Sequence, residues 1–377
     1  MPPQPQVKKR ETSITILPEE IIFNILICLP AHVLYNVMRY VCRQWRRIIE
    51  DPQFVNTHFL LATTTLLMHS PKRSRYYLLD LRECHARLSG FEFNIPSKYK
   101  YQIYTCNGLM LIFRGLVTNC TYYVGNPITR RALALPRLSF RVVCCALAFE
   151  ASSEVYKVVV VYRTEKGCSM PYNLDLGCAI LTVGIDNAWR FLNYALTKED
   201  MTLLDTRPPI TSTYFVYWAH PFNHYILALD LKSESIKRIS PPLSFRCTQY
   251  INILNYLAKG NSISVWYVSR NFSMEVWLLK DYTSEEWVKI LYIDGEPIRN
   301  QLRKVMSLDK YESSRKYAIV VPRSWYGKRI LFDALFMKSH LFVYDLETCG
   351  CYQFDVEYGE SFSSVPMHFV NSLTWGC

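Results

Sequence analysis

No run of apolar residues in this 377-residue chain is long enough to span a bilayer, which excludes a transmembrane helix. The opening MPPQPQVKKRETS is a short polar tail, and the apolar segment after it is flanked by Glu19 and Glu20; neither fits a secretory signal. Cysteine occurs 13 times, an odd number without a paired framework. That excludes a disulfide scaffold and points to reduced thiols of the cytoplasm or nucleus, most of them small core residues. The sequons at Asn119 and Asn271 are then chance matches. Charged residues make up only 20%, against 50% hydrophobic and 27 tyrosines, so the chain is folded and rich in β-structure.

Motifs of catalysis are missing as well. The chain has no GxxxxGK[ST] loop, no GxGxxG, no HExxH and no zinc-spaced Cys/His array. Cys349-Gly350-Cys351 comes nearest to a metal or redox pair and reads as two thiols on one face of a strand. His220 and His224 flank Pro221 and share no helix face. Asp205 and Asp230 have no evident partner. Neither a catalytic residue nor a cofactor is expected. The net charge of +11 is spread along the chain. Its nearest clusters, Lys8 to Arg10, Arg43 to Arg47 and Lys72 to Arg75, read as tail, outer helix face and linker, so no nucleic-acid partner is expected.

What is present begins with Leu17 to Phe59, helical in pattern and heavily apolar. Leu17-Pro18-Glu19-Glu20 reads as a helix start, with Pro18 in the first turn and two carboxylates at the positive end of the dipole. Ile21, Ile22, Ile25, Leu26 and Leu29 follow on one stripe, which Phe23, Ile27 and Cys28 widen. Pro30 ends this helix and opens one carrying Val33, Leu34, Val37 and Met38. A third holds Val41, Trp45, Ile48 and Ile49 opposite Arg43, Arg46 and Arg47. Asp51-Pro52 reads as an N-cap for a last turn with Phe54 and Phe59. Some forty residues of small helices cannot bury so many large side chains among themselves, so part of this surface needs a cover.

These residues resemble the F-box, by which substrate receptors of SCF-type ubiquitin ligases dock on the adaptor Skp1. Leu17-Pro18-Glu19-Glu20, Leu29-Pro30, Val41-Cys42-Arg43-Gln44-Trp45 and Ile48-Ile49 stand where the family has them. His32-Val33 departs from the Lys-Ser pair of many plant members. The resemblance implies Skp1 contacts drawn from Leu17, Pro18, Ile21, Ile22, Ile25, Leu29, Pro30, Leu34, Val41, Cys42, Trp45, Ile48 and Ile49, with Pro18, Leu29, Pro30, Val41 and Trp45 foremost. The sequence does not assign each of them to the inside or the interface.

After a transitional stretch, with a strand over Tyr76 to Leu81 and Ser89-Gly90 as a turn, short β-rich runs take over from Lys98. Expected strands include Arg141 to Phe149, Val155 to Arg163, Ala179 to Ile185, Tyr214 to Trp218, Tyr225 to Leu231, Ile263 to Val268, Met274 to Leu279, Trp287 to Tyr292, Tyr317 to Val321, Leu341 to Tyr344 and Cys351 to Phe354. Asn107-Gly108 marks a turn, Pro241-Pro242 a stop, and Pro297 to Val305 has room for a turn or two of helix. Roughly 280 residues at about 40 to 50 per blade give about six propeller blades. Tyr217-Trp218, Trp266, Trp277 and Trp287 fit one bulky anchor per sheet.

Cys106-Asn107-Gly108-Leu109, Asn126-Pro127-Ile128-Thr129-Arg130-Arg131 and Tyr156-Lys157-Val158-Val159 resemble the opening of the plant F-box-associated domain. Trp189-Arg190, Leu229 to Glu234, Trp277 to Tyr282 and Leu341 to Glu347 continue the likeness in order. It implies a Kelch-like β-propeller that presents loops to a substrate protein. The expected fold is therefore α+β and multi-domain: a tail (1–12), an F-box (13–60), a linker with first strands (61–97) and a β-propeller-like domain (98–377). The resemblance implies a non-catalytic substrate receptor, with a Skp1-like adaptor, cullin and RING subunits and a target protein as partners. Three other readings are a glycan-binding receptor stacking sugars on Tyr217, Trp218 and Trp325, an interaction scaffold outside any ligase, and a Kelch-type oxidase.

Overall fold

The computed structural model describes residues 17–62, 64–70, 75–79, 88–91, 103–114, 121–164, 175–206, 208–220, 223–242, 253–305, 320–334, 341–354, 367–370 and 373. The tail over 1–12, most of the 72–75 basic cluster, residues 317–319 and the side chain of Asp205 lie outside the described residues. The described chain falls into two compact units, a helical one and a β one that runs Thr64–Val370. No helix among the described residues is long and apolar enough to cross a membrane.

The helical unit comprises α1 (Glu19–Ile27), α2 (Ala31–Asn36), α3 (Arg43–Glu50) and α4 (Pro52–Leu61), with a 3-10 turn at Met38–Tyr40. Pro18 stands at the N-cap of α1, one place earlier than its expected role inside the first turn. Asp51 caps α4 as its sequence signals, its Oδ1 accepting from the Gln53 and Phe54 amides at 2.8 and 3.3 Å. What was read as a last turn is a ten-residue helix.

In the β unit, β1 (Thr64–Ser70), β2 (Arg75–Leu79) and β3 (Leu88–Phe91) come first. Five sheets of four consecutive antiparallel strands follow. The first holds β4 (Ile103–Cys106), β5 (Leu109–Arg114), β6 (Thr121–Asn126) and β7 (Arg131–Ala134), and the second β8 (Arg141–Glu150), β9 (Val155–Thr164), β10 (Asp175–Thr182) and β11 (Arg190–Leu196). A 3-10 turn and α5 (Met201–Thr206) lead to β12 (Ile210–Thr211), β13 (Phe215–Trp218), β14 (Ile226–Asp230) and β15 (Ile236–Ile239). Next come β16 (Ile253–Lys259), β17 (Ser262–Val268), β18 (Met274–Asp281) and β19 (Glu286–Ile293). After α6 (Glu296–Val305), β20 (Val320–Tyr326), β21 (Arg329–Ala334), β22 (Leu341–Asp345) and β23 (Gly350–Phe354) complete the run. The last strand, β24 (Met367–Val370), pairs back onto β1, so one further four-stranded sheet, β24-β1-β2-β3, is assembled from both ends of the unit.

The first strands of successive sheets are neighbours: β4 and β8, β8 and β12, β12 and β16, β16 and β20, with β24 beside β4. That is the radial arrangement of a propeller, in which repeated small sheets leave only short edges. The sequence estimate of about six blades is corrected to five, one for each sheet of consecutive strands; the remaining sheet is a composite of strands from both ends of the unit. Between the sheets lie apolar layers. One packs Leu111, Tyr122, Leu147, Val158, Val160 and Leu181; the next packs Val159, Val161, Ile180, Val216, Trp218 and Leu229. The unbroken run in β9 serves both layers at once, as its lack of alternation suggests.

The turns have a repeated construction. Asn107 and Gly108 both have positive φ, 47° and 84°, as a two-residue hairpin loop of type I′ requires. Between third and fourth strands, the side chain of Asn126, Asp230, Asp281 or Asp345 accepts from the amides two and three residues on. Each of these turns ends four residues later in the left-handed region, at Arg130, Glu234, Glu285 and Cys349.

Several expectations are corrected. Ser89 and Gly90 are not a turn but part of β3, paired with Leu78 and Tyr77; cross-strand pairing overrides their turn preference. The strand expected to reach Ile185 stops at Thr182, because Gly184 turns the chain at φ 76° and leaves Ile185 64% exposed. Cys349 sits in a turn at φ 52°, so it and Cys351 do not share a strand face. Trp266, Trp277 and Trp287 all belong to one sheet, which removes the idea of one anchor per sheet.

Candidate functional site: an apolar face on the helical unit

The helical unit separates its apolar side chains into two groups. Inside are Ile22, Leu26, Ala31, Leu34, Ile48, Ile49 and Phe54, none more than 4% exposed. The Phe54 ring meets Phe23 edge-on at 5.1 Å and stacks on His58 at 6.1 Å. His58 is itself buried, and its Nε2 lies 2.8 Å from the Leu29 carbonyl, tying α4 to the end of α1. Burial holds the His58 imidazole below its usual pKa despite that bond, so the ring is neutral and Nε2–H is the donor. Arg47 pairs with Glu19 at 2.7 Å and links α3 to α1 across the surface.

Outside is a second set, equally apolar. Leu17, Ile21 and Ile25 are 41%, 44% and 49% exposed and recur every four residues, so they form one stripe along α1. Exposed Pro18 lies between its first two members, and exposed Cys28 and Pro30 follow it. Val37, Tyr40 and Val41 make a second patch around the 3-10 turn, each more than half exposed. Arg39 holds Tyr40 in place, its guanidinium 3.5 Å from the Tyr35 ring centre and 4.6 Å from that of Tyr40. Leu29, Cys42 and Trp45 are half-buried, with Cys42 capping α3 through a 3.5 Å contact from the Trp45 amide to its Sγ.

The α1 stripe read from the sequence is thus two faces of one helix, Ile22 and Leu26 inward and Ile21 and Ile25 outward. Of the thirteen residues named from the resemblance, Ile22, Leu34, Ile48 and Ile49 belong to the unit's own core. Leu17, Pro18, Ile21, Ile25, Pro30 and Val41 are at the surface. Val37 and Tyr40 were missed as surface residues. Val37 fits the helical period, and only the break in the chain there, at φ −127° and ψ −61°, turns it out.

A small helical unit rarely exposes so many large apolar side chains unless something covers them. Covering the exposed part of Ile21 or Ile25 removes roughly 80 Å² from water, about 2 kcal/mol each. The arrangement can therefore bind, and its chemistry is burial rather than bond-making.

Other candidates fare differently. Tyr217 and Trp218 are 0% and 2% exposed, so neither offers a face to a sugar ring. The Trp325 ring is covered by Lys259, whose Nζ lies 3.0 Å from its centre, and is met edge-on by Trp266. Asp230 spends its carboxylate on its own turn. Among the described residues no three His, Cys, Asp or Glu side chains come together as a metal site.

Two family profiles match the chain. Residues 14–60 match the F-box-like family, and residues 57–357 match the F-box associated beta propeller domain. Among curated proteins, the chain is similar to the F-box protein At5g49610 of Arabidopsis thaliana, 24% identical over 285 residues, covering 72% of this chain and 77% of that protein. It is also similar to the F-box/LRR-repeat/kelch-repeat protein At2g27520 of Arabidopsis thaliana, 21% identical over 245 residues, covering 61% and 62%.

Proposed function

Because this chain belongs to the F-box proteins that carry an F-box associated β-propeller domain, we propose that it is the substrate-receptor subunit of an SCF-type ubiquitin ligase. The helical unit docks on a Skp1-like adaptor, which brings cullin and RING subunits, and the propeller holds a target protein. The chain itself makes and breaks no bond. It raises the concentration of target lysines near the ubiquitin-charged enzyme, turning a bimolecular encounter into a nearly intramolecular one. The observation that carries this reading is the uncovered stripe Leu17, Ile21 and Ile25 with the patch Val37, Tyr40 and Val41. Its site residues are then the outward members of the set, with Leu29, Cys42 and Trp45 at the rim. The odd cysteine count without a paired framework supports a reducing compartment, cytoplasm or nucleus.

Titration calorimetry of the full chain against a purified Skp1-type adaptor tests it. Ile25→Asp and Val41→Asp each remove an exposed aliphatic group and place a charge in a dry contact. Each should weaken binding by about 2–4 kcal/mol, roughly thirtyfold or more. Ile185→Asp, at a still more exposed residue of the β unit, should change nothing. Equal affinity for all three variants overturns the assignment.

A further inference from the structure

The chain passes between its two units at two places, and those two places are paired. It leaves α4 at Leu61 and enters β1 at Thr64. It returns in β24, which runs antiparallel to β1 with Thr64 opposite Val370, Thr65 opposite Phe369, Leu66 opposite His368 and Leu67 opposite Met367. That register points the chain beyond Val370 back toward the residues that precede Thr64. Its outcome is seen at Leu373, which follows β24 yet groups with the helical unit rather than with the propeller it has just left, and is only 6% exposed. Every other described residue of the helical unit lies before Thr64. The large side chains that this unit hides are few, namely Ile22, Leu26, Leu34, Ile48, Ile49 and Phe54. One more buried leucine is a substantial share of what so small a unit keeps from water. β24 itself is lightly held. It is four residues long, stands at the end of the order β24-β1-β2-β3, and among the described residues is hydrogen-bonded to β1 alone. A short strand with one ladder opens before the longer strands of a domain do.

We propose that Leu373 is a strap through which the pairing of β24 with β1 and the integrity of the adaptor-docking helices depend on each other. When β24 leaves β1, Leu373 leaves the helical unit with it, and the helices behind the docking face loosen. When an adaptor holds the helices, Leu373 stays in place and β24 stays on β1; the coupling works in both directions or not at all. This rests on the receptor reading for the identity of the ligand and adds a regulation to it: docking is tight only while the composite sheet is complete. Every strand from β1 to β24 precedes Leu373 in the chain. A receptor still being synthesised, or cut short within its propeller, therefore lacks the strap and docks weakly.

Amide hydrogen exchange of the full chain, with and without a purified Skp1-type adaptor, tests the proposal. Without adaptor, Leu373→Asp should speed exchange about tenfold or more in both α4 and β24 and leave β9 and β17 as they were. Leu373→Met, which keeps an apolar side chain of similar size, should match the wild type. Adding adaptor to the wild type should slow exchange in β24 roughly fivefold or more. In Leu373→Asp that slowing should vanish, and calorimetry should show adaptor affinity reduced by a similar factor. Unchanged exchange of α4 in Leu373→Asp, or a loss of protection spread evenly over every sheet, overturns the strap. So does an adaptor that binds the wild type and leaves exchange in β24 unaltered. A wild type that binds no adaptor overturns the receptor reading instead, and the comparison without adaptor still decides whether Leu373 joins α4 to β24.

Discussion

Lys157 offers the sharpest test of how neighbouring sheets are held together. It leaves β9 and reaches the turn between β14 and β15, with Nζ 2.5 Å from the Leu231 carbonyl, 3.1 Å from Glu234 and 3.6 Å from Glu150. Its side chain is 8% exposed and that of Glu150 is 3%. Burial opposes ionisation of Glu150, but bonds from Ser152 and Ser153 and the Lys157 charge outweigh it and hold the carboxyl below its usual range. Glu234 is likewise lowered against its burial, by Arg190 and then Lys157. Lys157→Met removes the cation and leaves Glu150 buried without one, which costs about 3–5 kcal/mol. Adding Glu150→Gln removes the stranded charge, so the double variant should recover about half of that loss. Glu234 keeps Arg190 in both cases. Urea unfolding followed by tryptophan fluorescence measures all three proteins. Because both carboxyls are lowered in the folded state, their contribution is full above about pH 4.5 and is lost as pH falls through the folded-state values. The gap between wild type and Lys157→Met should therefore close in acid. A single variant costing under about 1 kcal/mol, or a double no better than the single, refutes this account of the buried charge.

The remaining expectations concern the helical unit and the sheet junctions. Burial lowers the pKa of His58 and of His32, so the unfolded state binds protons first and stability falls as pH drops below about 6.5. Far-ultraviolet melting of the wild type and of His58→Gln between pH 7.5 and 5.5 should show the smaller slope in the variant. Asp51→Ala removes the α4 cap and should cost about 1 kcal/mol in urea, with Asp51→Asn nearly neutral. Ile22→Ala should lose about 2–4 kcal/mol of stability, whereas Ile21→Ala should lose little stability and show its effect in adaptor binding. Trp287 donates from Nε1 to the Ser240 carbonyl at 2.9 Å across two sheets, and Trp189 does the same to Pro136 at 2.8 Å. Trp287→Phe should cost about 1 kcal/mol and speed amide exchange along β15.

The sequence carried the helices well because caps and prolines are local signals: Asp51-Pro52, Pro18 and Pro30 each act within one turn. It could not divide Ile21 from Ile22, since adjacent positions on a wholly apolar helix give no polar side to orient it. Strands with their own apolar content, such as β9 and β17, stood out. Those that are strands only because a neighbour pairs with them did not. The outer strand β15 (Ile-Lys-Arg-Ile) and β3, which contains Ser-Gly, are of this second kind. The turn repeat was also missed. NPITR, DLKSE, DYTSE and DLETC share an Asn or Asp start, a Ser or Thr at the fourth place and a left-handed fifth residue, but no single residue type is kept in all four. Their common element is a hydrogen-bonding geometry, which identity-based comparison does not register.

That turn geometry also explains how adjacent sheets are locked. The fifth residue of two of the turns is a glutamate, and in both cases a lysine from the preceding sheet reaches it. Lys157 meets Glu234 at 3.1 Å, and Lys237 meets Glu285 at 3.2 Å. Both lysines also bond to a carbonyl one residue after the turn's aspartate, at Leu231 and Tyr282. Both glutamates are the left-handed residues that close their turns, and both carboxylates meet the sheet before. In the last turn the fifth residue is Cys349, which offers no acid, and Lys328 pairs with Glu347 inside its own sheet instead. Among the described residues the clamp therefore spans the second-to-third and third-to-fourth consecutive sheets and has no counterpart at the fourth-to-fifth. Hydrogen exchange should find β14 and β15 opening with their neighbours on both sides, while β22 and β23 open separately. Equal protection across all of these strands would show that the lysine–glutamate contacts do not couple the sheets.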